Sequence, residues 1–129
     1  MEDEKITIYG ELYSTKNSKR ILRAGNKIFI GKSAVSKSAD KYIEQQLILH
    51  KQKWKSLCSN KKYPLSLAFT LYRKTKRHFD WVNIVQGLLD CMVRCEWLPD
   101  DDMEHLTPVF EKWEVDAKNP RVEIKIVNK

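Results

Sequence analysis

Residues 65–72 read LSLAFTLY, and this stretch is the clearest strand signal in the chain. Its alternate positions are apolar, which is the period of a β-strand that turns one face to a core: Leu65, Leu67, Phe69 and Leu71. The basic run RKTKR at residues 73–77 follows directly. The predicted strand is therefore followed immediately by a positively charged segment.

Two helices are predicted on either side of this strand. Residues 33–57 form the first, with an imperfect apolar stripe, and residues 80–95 form the second. In the second helix, one set of residues falls at helical spacing and should face the core: Ile84, Leu88, Cys91 and Cys95. A different stripe carries Asp80, Asn83, Gly87 and Asp90. Two carboxylates and an amide should therefore share one side of this helix.

The remaining elements complete an α+β fold. Residues 5–9 and 27–30 predict short strands, and residues 10–20 predict a polar, basic loop. Residues 108–115 and 121–127 predict a final hairpin. We expect one compact domain over residues 1–129, a mixed β-sheet packed against two main helices, in the order β-β-α-β-α-β-β.

Composition excludes several classes of protein. An odd count of three cysteines without a C-x-x-C pair predicts no disulfide framework and a reducing cytoplasm. The apolar runs are too short to cross a membrane, and the acidic N-terminus has no secretory signal. The glycines form neither a Walker loop nor a dinucleotide fingerprint, so no nucleotide cofactor is expected.

Charge is segregated along the chain, whose net formal charge is +7. Residues 16–77 carry 17 basic and 2 acidic side chains, whereas residues 78–116 carry 2 basic and 10 acidic ones. A basic block of this kind favours a polyanionic partner, of which nucleic acid is the commonest. The alternative is a Lys-rich composition that only keeps the protein in solution.

Carboxylates lie at both ends of the second predicted helix. Asp80 stands at its start, and Asp100, Asp101 and Asp102 follow its end. Mg²⁺ prefers carboxylate oxygens, and a cation relieves the repulsion between carboxylates held close together. A helix of about 15 residues spans roughly 22 Å. Asp80 and Asp101 can therefore meet only if the helix ends well before Pro99 and the chain doubles back, or if a second copy supplies one half.

Each acidic residue also has a purely structural interpretation. Asp80 is in the position of a helix N-cap, and an acidic triplet such as residues 100–102 is usually a solvated turn. Asp90 stands four residues before Arg94 and could form an ion pair with it.

The order of these features resembles the RusA family of Holliday junction resolvases, which are endonucleases of phages and prophages. The matching run is RHFDWVN at residues 77–83, then Asp90, then WLPDD at residues 97–101, without a gap from Asp80 to Asp101. KNSKR at residues 16–20 resembles the family's basic loop after the first strand. The resemblance spans most of the domain, and its central segment is the specific part.

This resemblance implies a homodimer in the cytoplasm of a bacterium or infected host that cuts branched DNA. The implied reaction is phosphodiester hydrolysis with Mg²⁺, for which Mn²⁺ is a substitute. It implies that Asp80, Asp100 and Asp101 bind the metal ion and act in catalysis, supported by Asn83, Gln86 and Asp90. DNA phosphates should be contacted by eight basic residues: Lys16, Lys19, Arg20, Arg23, Arg73, Lys74, Lys76 and Arg77.

Two positions depart from the family's pattern. Val82 stands where the family has its second Asp, and Gln86 where many members have a Lys. Two further interpretations therefore stay open. One is a member that binds branched DNA with weakened or no cleavage. The other is a basic accessory protein that binds another protein through its apolar helix face. Among the four tryptophans, Trp81 is the best candidate for exposure and base stacking.

Overall fold

The predicted strand at residues 65–72 lies at the centre of the molecule in a computed structural model. The structure describes residues 5–13, 19–24, 27–32 and 34–128. Its elements in chain order are β1 (Lys5–Tyr9), β2 (Lys19–Ala24), β3 (Lys27–Lys32), α1 (Ala34–Leu49), α2 (Lys51–Cys58), β4 (Leu65–Arg73), α3 (Trp81–Arg94), β5 (Leu106–Val115) and β6 (Arg121–Ile126).

The main sheet has four strands in the order β1-β6-β4-β5. β4 pairs in parallel with β5 and antiparallel with β6, so the sheet is mixed. Phe69 lies opposite Phe110 on one side and Ile124 on the other. β2 and β3 form a separate antiparallel pair. The described chain is therefore a single compact α+β domain, as the sequence predicts.

One face of the sheet carries the core. The alternating apolar residues of β4 are buried against those of β6 and β1 and against the helices. α3 contributes six buried residues: Ile84, Val85, Leu88, Leu89, Cys91 and Met92. Cys95 is half-buried against the same cluster. The predicted core face of this helix is thus confirmed at Ile84, Leu88 and Cys91.

The first predicted helix is divided in two. The sequence predicts one helix over residues 33–57, but α1 ends at Leu49 and α2 begins at Lys51. His50 between them has a φ of −95° and a ψ of 8°. Trp54 of α2 is buried, and its indole stacks on that of Trp97 with the ring centroids 4.5 Å apart. Each indole N–H donates to a backbone carbonyl at 2.8 Å. The side-chain pattern gave no signal of the break, because the apolar stripe continues across His50.

The predicted C-terminal hairpin is wrong, although both of its strands exist. β4 lies between β5 and β6, and the turn that joins them crosses the end of β4, where the Asp116 N–H donates to the Arg73 carbonyl at 2.8 Å. β6 buries Val122, Ile124 and Ile126 in this position. β2 was also missed, because residues 19 and 20 were assigned to the basic loop.

The end of α3 reverses the chain. The Trp97 N–H donates to the Met92 carbonyl at 2.8 Å, and the Glu96 N–H donates to the Val93 carbonyl at 3.1 Å. Glu96 has a φ of 62°, so this is a Schellman cap with glutamate in the left-handed position. The helix thus ends before Pro99 and the chain turns back, and Asp101 then contacts Gln86 in the middle of α3 rather than Asp80 at its start.

Within the described residues, no helix is both long and apolar enough to cross a bilayer.

Candidate nucleic-acid interface

A groove of about 610 Å³ collects residues from three separate parts of the chain. Residues 11–13 after β1 form one wall, most of the segment 73–80 after β4 forms another, and Asn83 and Ile84 of α3 form the third. The basic run and the start of α3 therefore line one surface. The sheet and α3 hold both in place, because the basic run is the direct continuation of β4.

Arg73 is held firmly at the inner end of this groove. Its Nε lies 3.0 Å from Glu11 Oε1, its Nη1 donates to the Leu12 carbonyl at 3.3 Å, and its guanidinium lies 4.9 Å from the centre of the Phe79 ring. The Nε contact is close in distance but lacks hydrogen-bond geometry. Glu11 therefore offsets the Arg73 charge by proximity, which leaves Arg73 less positive potential for phosphate.

Glu11 was not recognised in the sequence. Besides its contact with Arg73, its Oε2 accepts a hydrogen bond from the Lys74 N–H at 2.9 Å. This single carboxylate thus fixes the start of the basic run against the loop after β1. Nothing in the local pattern links these residues, because the contact joins distant parts of the chain.

The rest of the basic run is open to solvent. Lys74, Lys76 and Arg77 are exposed, and Lys74 and Arg77 line the groove together with His78. Arg73 is held by Glu11 and the Leu12 carbonyl, but among the described residues these three cations have no such ion pair to break before they can contact a phosphate. They are therefore the best-placed phosphate ligands among the described residues.

The four basic residues predicted upstream are not part of this groove as described. Lys16 lies outside the described residues. Lys19, Arg20 and Arg23 belong to strand β2, so part of the expected loop is strand. Their role in DNA binding stays a prediction.

Asp80 caps α3, as its structural interpretation predicts. Its Oδ1 accepts a hydrogen bond from the Val82 N–H at 3.2 Å, and its backbone is extended. The residue is nevertheless exposed and lines the groove beside Asn83. The cap fixes its carboxylate at the end of the basic run, beside the exposed side chains of Arg77 and His78.

Gln86 joins the helix to the returning acidic turn. Its Nε2 donates to Asp90 Oδ1 at 2.8 Å and to Asp101 Oδ2 at 3.1 Å. Two carboxylates far apart in sequence therefore converge on one amide nitrogen. Asp90 does not pair with Arg94, since Arg94 binds Glu44 of α1 at 2.7 Å. The supporting positions predicted at 86 and 90 thus contact Asp101 directly or through each other.

The other two residues of the acidic turn have local partners. Asp100 Oδ1 accepts from the Asp101 N–H at 2.8 Å. Asp102 Oδ1 lies 2.6 Å from His105 Nδ1, and this hydrogen bond holds the pKa of the Asp102 carboxyl below its usual range. Asp102 is therefore committed to the turn, whereas Asp101 faces α3.

The described residues contain no group of three or more His, Cys, Asp or Glu side chains placed to hold a metal ion. The expected cluster of Asp80, Asp100 and Asp101 is thus not assembled as a three-ligand site. Mg²⁺ commonly uses only one or two carboxylates together with water and substrate phosphates. The pair Asp90 and Asp101 and the groove residue Asp80 supply oxygen ligands of the type that Mg²⁺ takes in this way.

An aromatic cluster continues from the groove onto the sheet edge. Phe79 packs edge-on against both Trp81 and Trp113, and Trp81 stacks on Phe110 with the centroids 5.2 Å apart. Trp81 is half-buried in this cluster, whereas Trp113 is 40% exposed. Trp113 is therefore the more exposed of the two, contrary to the expectation for Trp81.

No protein-family model matches the chain, and no curated protein matches it.

Proposed function

We propose that the chain is a RusA-like endodeoxyribonuclease that acts as a homodimer on four-way DNA junctions with Mg²⁺. The groove is the observation that carries this proposal, because it places exposed Lys74 and Arg77 beside Asp80 and Asn83. A DNA backbone bound along the cations would then lie next to acidic oxygens. Phosphate binding beside carboxylates is the arrangement that metal-assisted phosphodiester hydrolysis needs.

The basic residues divide into two roles. Lys74, Lys76 and Arg77 bind phosphates without regard to base sequence, which suits a protein that recognises the shape of a junction. Arg73 is a positioning residue, because Glu11 and the Leu12 carbonyl hold it. It orders the start of the basic run rather than supplying its strongest contact.

The acidic residues would hold the metal ion. When bound, Mg²⁺ supplies an activated water and neutralises charge on the scissile phosphate. Asp80, Asp100 and Asp101 would bind it, with Gln86 orienting both Asp101 and Asp90 through its amide. Since the described residues form no group of three protein ligands, phosphate oxygens and water would complete the coordination.

A synthetic four-way junction tests the activity. We expect paired nicks in opposing strands with Mg²⁺ or Mn²⁺, and no product when the ion is removed by a chelator. A linear duplex of the same sequence is the control and should stay intact. If the junction is bound but uncut in every divalent ion, the nuclease proposal is wrong.

Loss of two groove cations should weaken binding in a salt-dependent way. In the variant Lys74→Gln/Arg77→Gln, the slope of log K against log salt should fall in magnitude by about 1.8, because each phosphate contact contributes about 0.9. Fluorescence anisotropy with a labelled junction between about 50 and 300 mM salt measures this. The matched control, Lys118→Gln/Lys125→Gln, removes the same charge from exposed positions outside the groove. Equal slopes in the two variants would exclude the groove as the binding surface.

Binding of branched DNA without cleavage is a second candidate function, and Gln86 favours it. Its amide already satisfies Asp90 and Asp101, so this pair needs no cation to offset its repulsion. Val82 stands where the family has a carboxylate and is 59% exposed on the first turn of α3. In this case the acidic residues have only a structural role, while the groove still binds DNA.

Val82→Asp distinguishes a weakened metal site from an absent one. We expect Mn²⁺ to bind at least about tenfold more tightly, because an added carboxylate can bind the ion directly and even groups that only orient a ligand have an effect of this size. An acidic residue in the first turn also suits the helix dipole, so folding should be unaffected. Titration calorimetry measures the affinity, and Val82→Asn is the control of equal size without the charge. Equal Mn²⁺ affinity of the two variants would show that a carboxylate at position 82 does not take part in a metal site.

A further inference from the structure

The edge of the main sheet is unusually exposed. β5 is the terminal strand in the order β1-β6-β4-β5, and after Leu106 all nine of its remaining residues are exposed. An edge strand offers a row of backbone N–H and carbonyl groups that another strand can pair with. Natural proteins usually cover such edges or keep them short, and β5 has 10 residues.

This edge is also apolar on the face that bears the helices. Phe110 and Trp113 lie beside the core residues Phe69 and Leu71 of β4, yet each is about 40% exposed. Val115, on the same face, is 41% exposed, and Val109, which lies opposite Ala68 on the other face, is 40% exposed. Apolar surface that is continuous with an unpaired strand edge marks an interaction site.

The sequence of β5 is complementary to itself when it runs antiparallel. The register against β4 skips Glu111, so this residue forms a bulge and Phe110 and Trp113 share one face. A two-fold axis at the bulge sets Phe110 opposite the partner's Trp113 and Glu111 beside the partner's Lys112. Within one chain, Glu111 Oε1 accepts from the Thr70 hydroxyl at 2.9 Å and Lys112 Nζ lies 3.9 Å from Glu114, so Glu111 Oε2 is the oxygen left for the partner's lysine. Aromatic pairs and opposite charges are the cross-strand neighbours that stabilise antiparallel strands.

We propose that β5 pairs antiparallel with β5 of a second copy of this chain, so that two four-stranded sheets join into one. Pairing extends over residues 109–114, because Pro108 has no N–H to donate. Each chain contributes the same patch, as a closed two-fold interface requires. This interface gives the homodimer of the proposed function its contact surface, but it needs no DNA or metal ion.

Charge argues against DNA as the occupant of this edge. Glu111 and Glu114 are both exposed on β5, and Lys112 is the only cation among residues 106–115. A phosphate backbone would be repelled here, whereas a second copy pairs glutamate with lysine. The phosphate-binding surface is the groove on the far side of Phe79.

Two charge variants test the register. Lys112→Glu places only acidic residues at the two-fold axis, and Glu111→Lys places only basic ones. Each should raise the dimer Kd about fivefold or more, since the change acts at two symmetry-related positions. When the two variants are mixed, every contact is again between opposite charges, so a heterodimer should form preferentially. Sedimentation velocity on the 15.3 kDa chain gives the Kd, and native mass spectrometry of the mixture gives the pairing.

Lys125→Glu is the matched control for Lys112→Glu. It makes the same change of charge at an exposed residue of β6, away from the β5 edge. Its dimer should dissociate like the wild type. The proposal is overturned if the wild type is monomeric at about 100 μM, or if the dimer is insensitive to both β5 variants. It is also overturned if the mixed variants do not form a heterodimer in preference to homodimers. A dimer that behaves as expected but cuts no junction contradicts the nuclease proposal alone.

Discussion

Replacing Phe69 by alanine is expected to lower the free energy of unfolding by about 3–5 kcal/mol. Phe69 lies in the middle of β4, is fully buried, and has strand neighbours on both sides. The change leaves a cavity that the sheet cannot close, because β5 and β6 hold the backbone of β4 in place. Since a domain of this size is stable by about 5–15 kcal/mol, the variant should be close to unfolding.

Phe110→Ala is the control for this prediction. The two phenylalanines are direct neighbours across β4 and β5, but Phe110 is 39% exposed and stacks on Trp81. We expect a loss of about 1 kcal/mol, which is the usual value of such a stack. Urea unfolding at about 1 μM protein, where association is slight, measures both. Equal losses would show that burial is not what makes Phe69 important.

The elements that the sequence predicts best are those in which one local pattern decides the structure. β4 has strict alternation, and α3 has an apolar stripe with an aspartate cap, so both lie within two residues of their predicted bounds. The pairing of β5 with β4 could not be predicted in this way. Strand pairing depends on which edges remain open after the sheet assembles, and no local pattern records that.

The candidate site shows the same division. The sequence identified Asp80 at the head of α3 and the condition that the chain must double back, which the Schellman cap at Glu96 fulfils. It did not identify Glu11, and it placed Gln86 among the supporting residues without indicating its contact with Asp101. Both act through contacts across the fold, Glu11 on Arg73 and Gln86 on Asp101. Long-range polar contacts follow from the assembled fold, so the residue types alone do not reveal them.

Asp101→Asn and Asp80→Asn are each expected to reduce junction cleavage at least about 100-fold while leaving the fold intact. Asparagine keeps an oxygen that can accept from Gln86 at position 101, and at position 80 it is as good a helix cap as aspartate. The variants therefore remove one negative charge and little else. A bound metal ion stabilises the negative charge of the transition state by several kcal/mol. A loss of about 2.7 kcal/mol of this stabilisation lowers the cleavage rate 100-fold.

Binding must be separated from cleavage for this result to be informative. Junction affinity without divalent ions should stay within about threefold of wild type, because phosphate contacts come from Lys74, Lys76 and Arg77. Asp102→Asn is the matched control, since it removes the same charge from the same turn but from a residue held by His105. Its cleavage rate should be nearly unchanged. Full activity in both the Asp80 and Asp101 variants would move the active site elsewhere, whereas a loss shared equally by Asp102→Asn would indicate only a general effect of charge.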